Sequence, residues 1–351
     1  MSASVDHIKQ RTLELGFAAC GIAPAQPTAH RRHVVDWIAD GRHGDMSWLA
    51  RNLNLRLDPA KFQPDARSII CVADHISAAP AADGNRIPSD SPYGRVARYA
   101  QISDYHKVLK KRLHRLADDL RTEHPDALFR VCVDTAPVLE REHAARTALG
   151  WVGKHTLLLH PQLGSHLLLG VIVTSLDLPH DTPHTDHCGT CTRCIDACPT
   201  QCITPWSVDA ARCISYLTIE HRGPIDPQLH EAIGDHLFGC DVCQDVCPFN
   251  QGSEPADLPP GYEPRASEFN LLTVLGWSEA DRRAAFVKSA MKRAKLPQIK
   301  RNALIAAANA LRDTDHKALR DRARAIATDA TEDDIVRETA RDVINRLNAE
   351  R

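Results

Sequence analysis

The chain has 351 residues, 43% of them hydrophobic and 25% charged, with a formal net charge of −2 at pH 7. That balance calls for packed cores rather than disorder, offers no apolar run of the ~18–20 residues a membrane helix needs, and leaves a polyanionic partner to be decided by local patches. The opening MSASVDHIKQ has neither an apolar h-region nor a twin arginine, so a cytoplasmic protein is expected, and in that reducing compartment its twelve cysteines are expected to include metal ligands rather than disulfides.

Residues 1–175 read as mixed α/β. VDHIKQRTLELG has helical spacing and stops at Gly16, and FAACGIAPA follows as a strand. HRRHVVDWIADG is a second helix with a glycine stop, and RSIICVA a buried strand. Residues 78–94 form a Pro/Gly/Ser loop long enough to suggest a function. SDYHKVLKKRLHRLADDLRTEH is a long amphipathic helix with Ser103 or Asp104 as N-cap. LFRVCVD is a strand, PVLEREHAARTALG a helix opened by Pro137, and HLLLGVIVTSL a fully buried strand. Neither a GxGxxG turn after a strand nor a Walker lysine occurs. Cys20, Cys71 and Cys132 lie in apolar segments and read as small buried hydrophobes.

Residues 176–255 carry the metal chemistry, after a histidine-rich entrance that reads as solvated linker. Cys188, Cys191, Cys194 and Cys198-Pro199 follow the bacterial ferredoxin spacing C-x2-C-x2-C-x3-C-P, in which the fourth cysteine serves a second cluster. Cys240, Cys243 and Cys247-Pro248 supply that second run with only three thiols. Two [4Fe-4S] clusters need eight thiolates and the runs give seven. Cys202 and Cys213 are the nearby candidates, and Cys213 is preferred because it approaches from another direction. The expected tetrads are Cys188, Cys191, Cys194 and Cys247, and Cys198, Cys213, Cys240 and Cys243. Structural zinc is the rival, but two tandem CxxCxxC(P) runs are poor zinc geometry.

Residues 256–351 read as helices only, with a pair after Pro297 that resembles a HEAT-type hairpin too short to stand alone. MKRAKLPQIKRN (291–302) gathers five basic residues in twelve, which by pattern alone is a solvated helix end.

VARYAQISDYHKVLKKRL, VDTAPVLEREHAARTALGWVGKHTLLLHPQLGSHLLLG, CGTCTRCIDACPTQCI, RCISYLTIEHRGPI, FGCDVCQDVCPFN and KRNALIAAANAL together resemble the epoxyqueuosine reductases, in order over nearly the whole chain. Departures are HGDMSWL (43–49), where the family more often has a glutamate after the glycine, and His166 in a strand that is more aromatic elsewhere. The resemblance implies an α/β cobalamin-binding domain (1–175), a two-[4Fe-4S] ferredoxin-like module (176–255) and an all-α HEAT-like element that binds tRNA (256–351). It implies reduction of epoxyqueuosine to queuosine at the tRNA wobble position, by a cytoplasmic monomer served by an external low-potential electron donor.

Cobalamin is implied in its base-off form without a protein histidine ligand. DYHKVL (104–109) has the first two residues of a DxHxxG loop but no glycine, and His106 reads as an ordinary helix residue. Pattern alone makes Asp134 the N-cap of the helix at Pro137, whereas the resemblance makes it the general acid, partly dehydrated so as to be protonated when needed. The resemblance also places Arg56, Leu158, Leu169, Ser215, Asp241 and Val242 near the corrinoid, and Lys292, Arg293, Lys295, Lys300 and Arg301 on tRNA phosphates. A reductive dehalogenase-like enzyme and a ferredoxin-type carrier are the alternatives. The missing twin-arginine signal and the basic helical tail count against the first, and roughly 180 residues of α/β fold before the clusters against the second.

Overall fold

A computed structural model describes residues 5–76, 92–251, 257–313 and 316–349; the loop expected over 78–94 lies, up to residue 91, outside the described residues. The chain opens with α1 (Val5–Glu14), which ends before Gly16 in the left-handed conformation (φ 84°). β1 (Ala19–Pro24), α2 (Arg31–Ala39), β2 (Ser68–His75) and β3 (Tyr93–Val96) follow. Next come α3 (Tyr105–Glu123), β4 (Phe129–Cys132), α4 (Glu140–Ala145) and β5 (Leu167–Thr174).

Four of these strands form one antiparallel sheet in the order β1-β2-β5-β4. Because side chains alternate across a strand, the sheet buries two apolar faces. Ile22, Ile70, Val72 and Ile172 pack on α1 and on the α3 stripe of Leu109, Leu113, Leu116 and Leu120. Ala23, Ile69, Cys71, Val171 and Val173 face the opposite layer with Ala144 and Leu149. Cys71 and Cys132 are buried there as expected, while Cys20 is half-buried at the edge. One polar knot crosses the first core: Arg112 on α3 pairs with fully buried Asp74, which also accepts from the Tyr262 hydroxyl at 2.7 Å.

The expected helix over 137–150 shrinks to six residues. Pro137 stands outside it, Leu139 occupies the N-cap position, and no side chain caps it. Asp134 is therefore not a helix cap. Asp104 is at the N-cap of α3 but makes no capping bond, because other partners take its carboxylate.

Beyond the sheet, α5 (Ile214–Ile219) and β6 (His236–Phe238) belong to the cysteine-rich region. A second correction follows: residues 256–351 are not helices only. β7 (Glu268–Asn270) pairs with β3, and Asn270 caps the next helix through Thr273 N. Three residues are too few for alternation to show in sequence. The order β6-β3-β7 joins strands far apart in the chain, at residues 93–96, 236–238 and 268–270. α6 (Leu296–Asp313), α7 (Lys317–Thr328) and α8 (Asp334–Ala349) then close the molecule around Ala303, Leu304, Ala307, Leu319, Val336 and Val343. No helix among the described residues is long and apolar enough to cross a membrane.

Candidate active site

Both cysteine runs fold alike. Each forms a single helical turn (Arg193–Asp196, Val242–Asp245) followed by a Cys-Pro step that redirects the chain. The thiols whose charges act most on Cys194 are Cys188, Cys247 and Cys191, and on Cys240 they are Cys213 and Cys198. Cys243 lies against Cys240 and Cys213, with Cys194 next. Cys188, Cys191 and Cys247 thus stand around Cys194, while Cys198, Cys202, Cys213, Cys240 and Cys243 share one cavity. Around the first, Cys188 and Cys247 pack against Trp151, Leu159 and Phe249. Lys154 Nζ donates to the carbonyls of Gly189 (2.7 Å) and Cys191 (2.9 Å), fixing that loop.

The second tetrad faces elsewhere. Cys198, Cys213, Cys240 and Cys243 all line a cavity of about 2020 Å³, and none of the first tetrad does. Drug-sized pockets run to about 1,000 Å³, so this one suits a much larger guest. Arg56, Asp134, Ser215, Asp241, Val242, Lys292 and Arg293 are on its wall. Leu158 and Leu169 are not: Leu158 is in the core, Leu169 packs against it, and Leu157, Leu167 and Leu168 line the cavity instead.

Asp134 sits at φ 53° where β4 ends, in the left-handed region that only a few non-glycine residues occupy. Its backbone N donates to Glu140 Oε1 (2.8 Å), and its Oδ2 lies 3.1 Å from His106 Nε2. The other His106 nitrogen lies 2.8 Å from Asp104 Oδ1, Lys292 Nζ donates to Asp104 Oδ2, and the Tyr105 ring stacks on the imidazole at 4.0 Å. His106 is thus the hinge of a Lys292–Asp104–His106–Asp134 chain, which corrects its reading as an ordinary helix residue. The available signal was the Asp-x-His spacing at a helix start, where both side chains can turn the same way.

Electrostatics assign the protons. Burial lowers the His106 pKa, but its bonds to Asp104 and Asp134 and their charges more than reverse this, to about 9. Burial pushes Asp134 up, yet His106, Arg141 and Arg56 outweigh it and hold the carboxyl below its ordinary value. Burial and the nearby Asp134 charge raise Glu140 to about 8. Without a guest in the cavity these neighbours favour a carboxylate at Asp134 and protonated His106 and Glu140. Asp241, raised to about 6 chiefly by burial, accepts from Arg98 N at 2.7 Å.

The basic stretch divides in two. Lys292 and Arg293 reach the cavity, Arg293 pairing with Glu220 and lying 5.1 Å over the Trp48 ring, and Lys295 is exposed. Arg301, by contrast, is fully buried and donates to the carbonyls of Leu217, His221 and Gly223, while Lys300 is buried against Glu332. Neither can meet a phosphate, so the expectation fails for both. A run of basic letters does not reveal which side of a helix is covered.

The profile described as "4Fe-4S double cluster binding domain" matches residues 187–250, and that described as "Epoxyqueuosine reductase QueG, DUF1730" matches residues 56–135. The epoxyqueuosine reductase of Synechocystis sp. is 42% identical over 296 residues, covering 81% of this chain and 98% of the relative. That of Xanthomonas campestris pv. campestris is 41% identical over 277 residues, covering 77% and 78%. Among solved structures, the epoxyqueuosine reductase of Bacillus subtilis, with its catalytic loop swung out of the active site, superimposes with a TM-score of 0.85 at 26% identity, over 95% of this chain and 88% of that one. An epoxyqueuosine reductase with an epoxyqueuosine-modified tRNA-Tyr stem loop gives 0.82 at 25% identity, over 98% of both. With relatives this similar over so much of both chains, the chain belongs to the epoxyqueuosine reductase family.

Proposed function

We propose that this chain removes the epoxide oxygen of epoxyqueuosine at the wobble position of tRNA to give queuosine, with electrons entering through two [4Fe-4S] clusters and cobalamin bound in the cavity. One observation carries the reading: a single cavity is lined both by four cysteines forming one tetrad and by the His106–Asp134 pair. Electrons and protons can thus meet at one guest.

The residues suit the absent groups. The match of residues 187–250 to a double-cluster binding domain supports two cubanes, with Cys188, Cys191, Cys194 and Cys247 holding one and Cys198, Cys213, Cys240 and Cys243 the other in this reading. For the corrinoid, the cavity wall holds buried Arg56 Nε, His155 Nε2, His166 Nε2 and Ser207 Oγ without hydrogen-bond partners among the described residues. Buried polar atoms of this kind are normally satisfied, and the amide-fringed rim of a corrin ring offers donors and acceptors for them. Bound cobalamin supplies a cobalt centre that accepts single electrons and reacts at carbon, chemistry that thiolate-bound iron alone lacks. Arg56, Ser215, Asp241 and Val242 would hold it, with Leu158 and Leu169 packing behind.

Opening the epoxide to an alkene consumes two electrons and two protons and releases the oxygen as water. His106 Nε2 supplies a proton through Asp134 Oδ2, and Asp134 delivers it to that oxygen. Excluding water from the filled cavity raises Asp134 towards the protonated form, and Glu140 holds a further proton beside it. Lys292, Arg293 and Lys295 contact the anticodon-loop phosphates, and α6–α8 serve as a HEAT-like support for the tRNA arm. The same reading divides the chain near residues 175 and 255, and makes it a cytoplasmic monomer reduced by an external low-potential donor.

The test is turnover of an epoxyqueuosine-containing anticodon stem-loop by the chain, reconstituted without air with iron, sulfide and cobalamin and supplied with a reductant. Nucleoside mass spectrometry should show loss of one oxygen. An intact epoxide with fully loaded protein overturns the proposal.

A further inference from the structure

The two ferredoxin-type runs leave one ligand position to be filled from outside them, and two thiols reach it. Gln201 takes the left-handed conformation (φ 50°) and its N–H closes a turn onto the Cys198 carbonyl at 3.0 Å. That turn folds Cys202 back until its sulfur lies 3.5 Å from Cys198 Sγ. Cys202 is only 5% exposed and packs in one small core with Cys198, Cys213 and Cys243. All four, with Cys240, line the cavity. Five thiols therefore stand where a cubane takes four.

We propose that Cys202 is a reserve ligand of the cavity-facing cluster, able to take the iron that Cys213 holds. This rests on the two-cluster reading above. The exchange is redox-neutral: Cys202 gives up its thiol proton and forms a sulfur–iron bond, while the Cys213–iron bond breaks and the Cys213 sulfur takes a proton. Neither backbone has to move. Cys202 O is held by Asp209 N (2.9 Å) and Cys213 O by Leu217 N (2.9 Å), which leaves the exchange to the two side chains. A cluster with a spare thiol survives loss of one ligand during oxidative damage or assembly, whereas the first tetrad has no equivalent among its packed neighbours.

The experiment compares iron content, sulfide content and the low-temperature EPR of the reduced full chain after anaerobic reconstitution. Wild type, C213A, C202A, C202A/C213A and C240A are measured side by side. Wild type, C213A and C202A should each hold about eight irons, and C202A/C213A and C240A only about four, or about seven with a three-iron signal. If C213A matches the double variant, Cys202 does not ligate and the proposal fails. If C202A alone loses iron, Cys202 is the resident ligand and the assignment of a reserve is wrong. Fewer than about eight irons in loaded wild type would overturn the two-cluster reading itself, which separates the two failures. Should C213A be insoluble, C213S carries the same comparison. Identical spectra for C213S and C202A/C213S would overturn the proposal, since serine alone would then explain any retained cluster.

Discussion

Replacing His106 with glutamine tests whether the imidazolium stores the proton that Asp134 delivers. Its ring lies between two carboxylates, 2.8 Å from Asp104 and 3.1 Å from Asp134, with Lys292 on the far side of Asp104 and Tyr105 stacked on one face. Moving a histidine from 6.5 to about 9 favours the charged ring by roughly 3 kcal/mol. The side chain is 31% exposed, and solvent screening leaves about 1.5–2 kcal/mol of that. Because the folded pKa is the higher one, this contribution is complete below about pH 6.5 and is lost as pH rises through about 9. Glu140, raised to about 8, also makes stability fall with rising pH in both proteins, and losing the His106 charge removes one of the influences that hold it down.

The reconstituted wild type should melt about 2–3 °C above H106Q near pH 6, and the gap should close by about pH 10. In turnover, the wild-type alkaline limb should lie near 9. In H106Q it should move to lower pH, because Asp134 must then supply its own proton. A melting difference that is constant with pH, or an unchanged alkaline limb, refutes the store.

Asp134→Asn should keep iron and cobalamin content while lowering single-turnover rate by about 10²–10⁴-fold; a near-wild-type rate removes it from the reaction. Arg301→Ala leaves three buried carbonyls without their donor, and should cost about 3–5 kcal/mol of stability with no change in the salt dependence of stem-loop binding. Weakened binding with unchanged melting would restore Arg301 to the tRNA surface. The double variant K292A/R293A should reduce the salt slope of binding by up to ~2, and an unchanged slope excludes both from phosphate contact.

Much of the site was legible in sequence because its chemistry is dense and local. C-x2-C-x2-C-x3-C-P fixes three sulfurs on one face and sends the fourth away, and in the structure Cys198 faces the cavity while Cys188, Cys191 and Cys194 do not. The strands at 68–75 and 167–174 were legible because continuous apolar runs mark strands covered on both faces. His106 was not, since its partner Asp134 is 28 residues away and the pairing depends on how β4 and α3 pack. The charges around Asp134 were not legible for the same reason: His106, Arg141 and Arg56 come from three other segments. Arg301 failed in the opposite sense. Its neighbours in sequence are basic and it looks solvated, yet its guanidinium fills a pocket of carbonyls from a loop some eighty residues earlier.

That buried arginine explains how the three thirds of the chain make one rigid site. Arg301 and Asn302 on α6 tie the C-terminal helices to the carbonyls around α5, the helix that begins directly after Cys213. The β6-β3-β7 sheet makes a second tie, and the Arg112–Asp74–Tyr262 knot anchors residue 262 in the first core. Asn250 makes a fourth: Gly164, at φ 69° with no room for a Cβ beside the Asn250 side chain, lets Ser165 N donate to Asn250 Oδ1 at 2.7 Å. The wall bearing the second tetrad is therefore held against the wall bearing Asp134 by these ties. Delivery of electrons and protons to one bond demands such fixed placement, because donors fixed beforehand need not reorganise when charge develops.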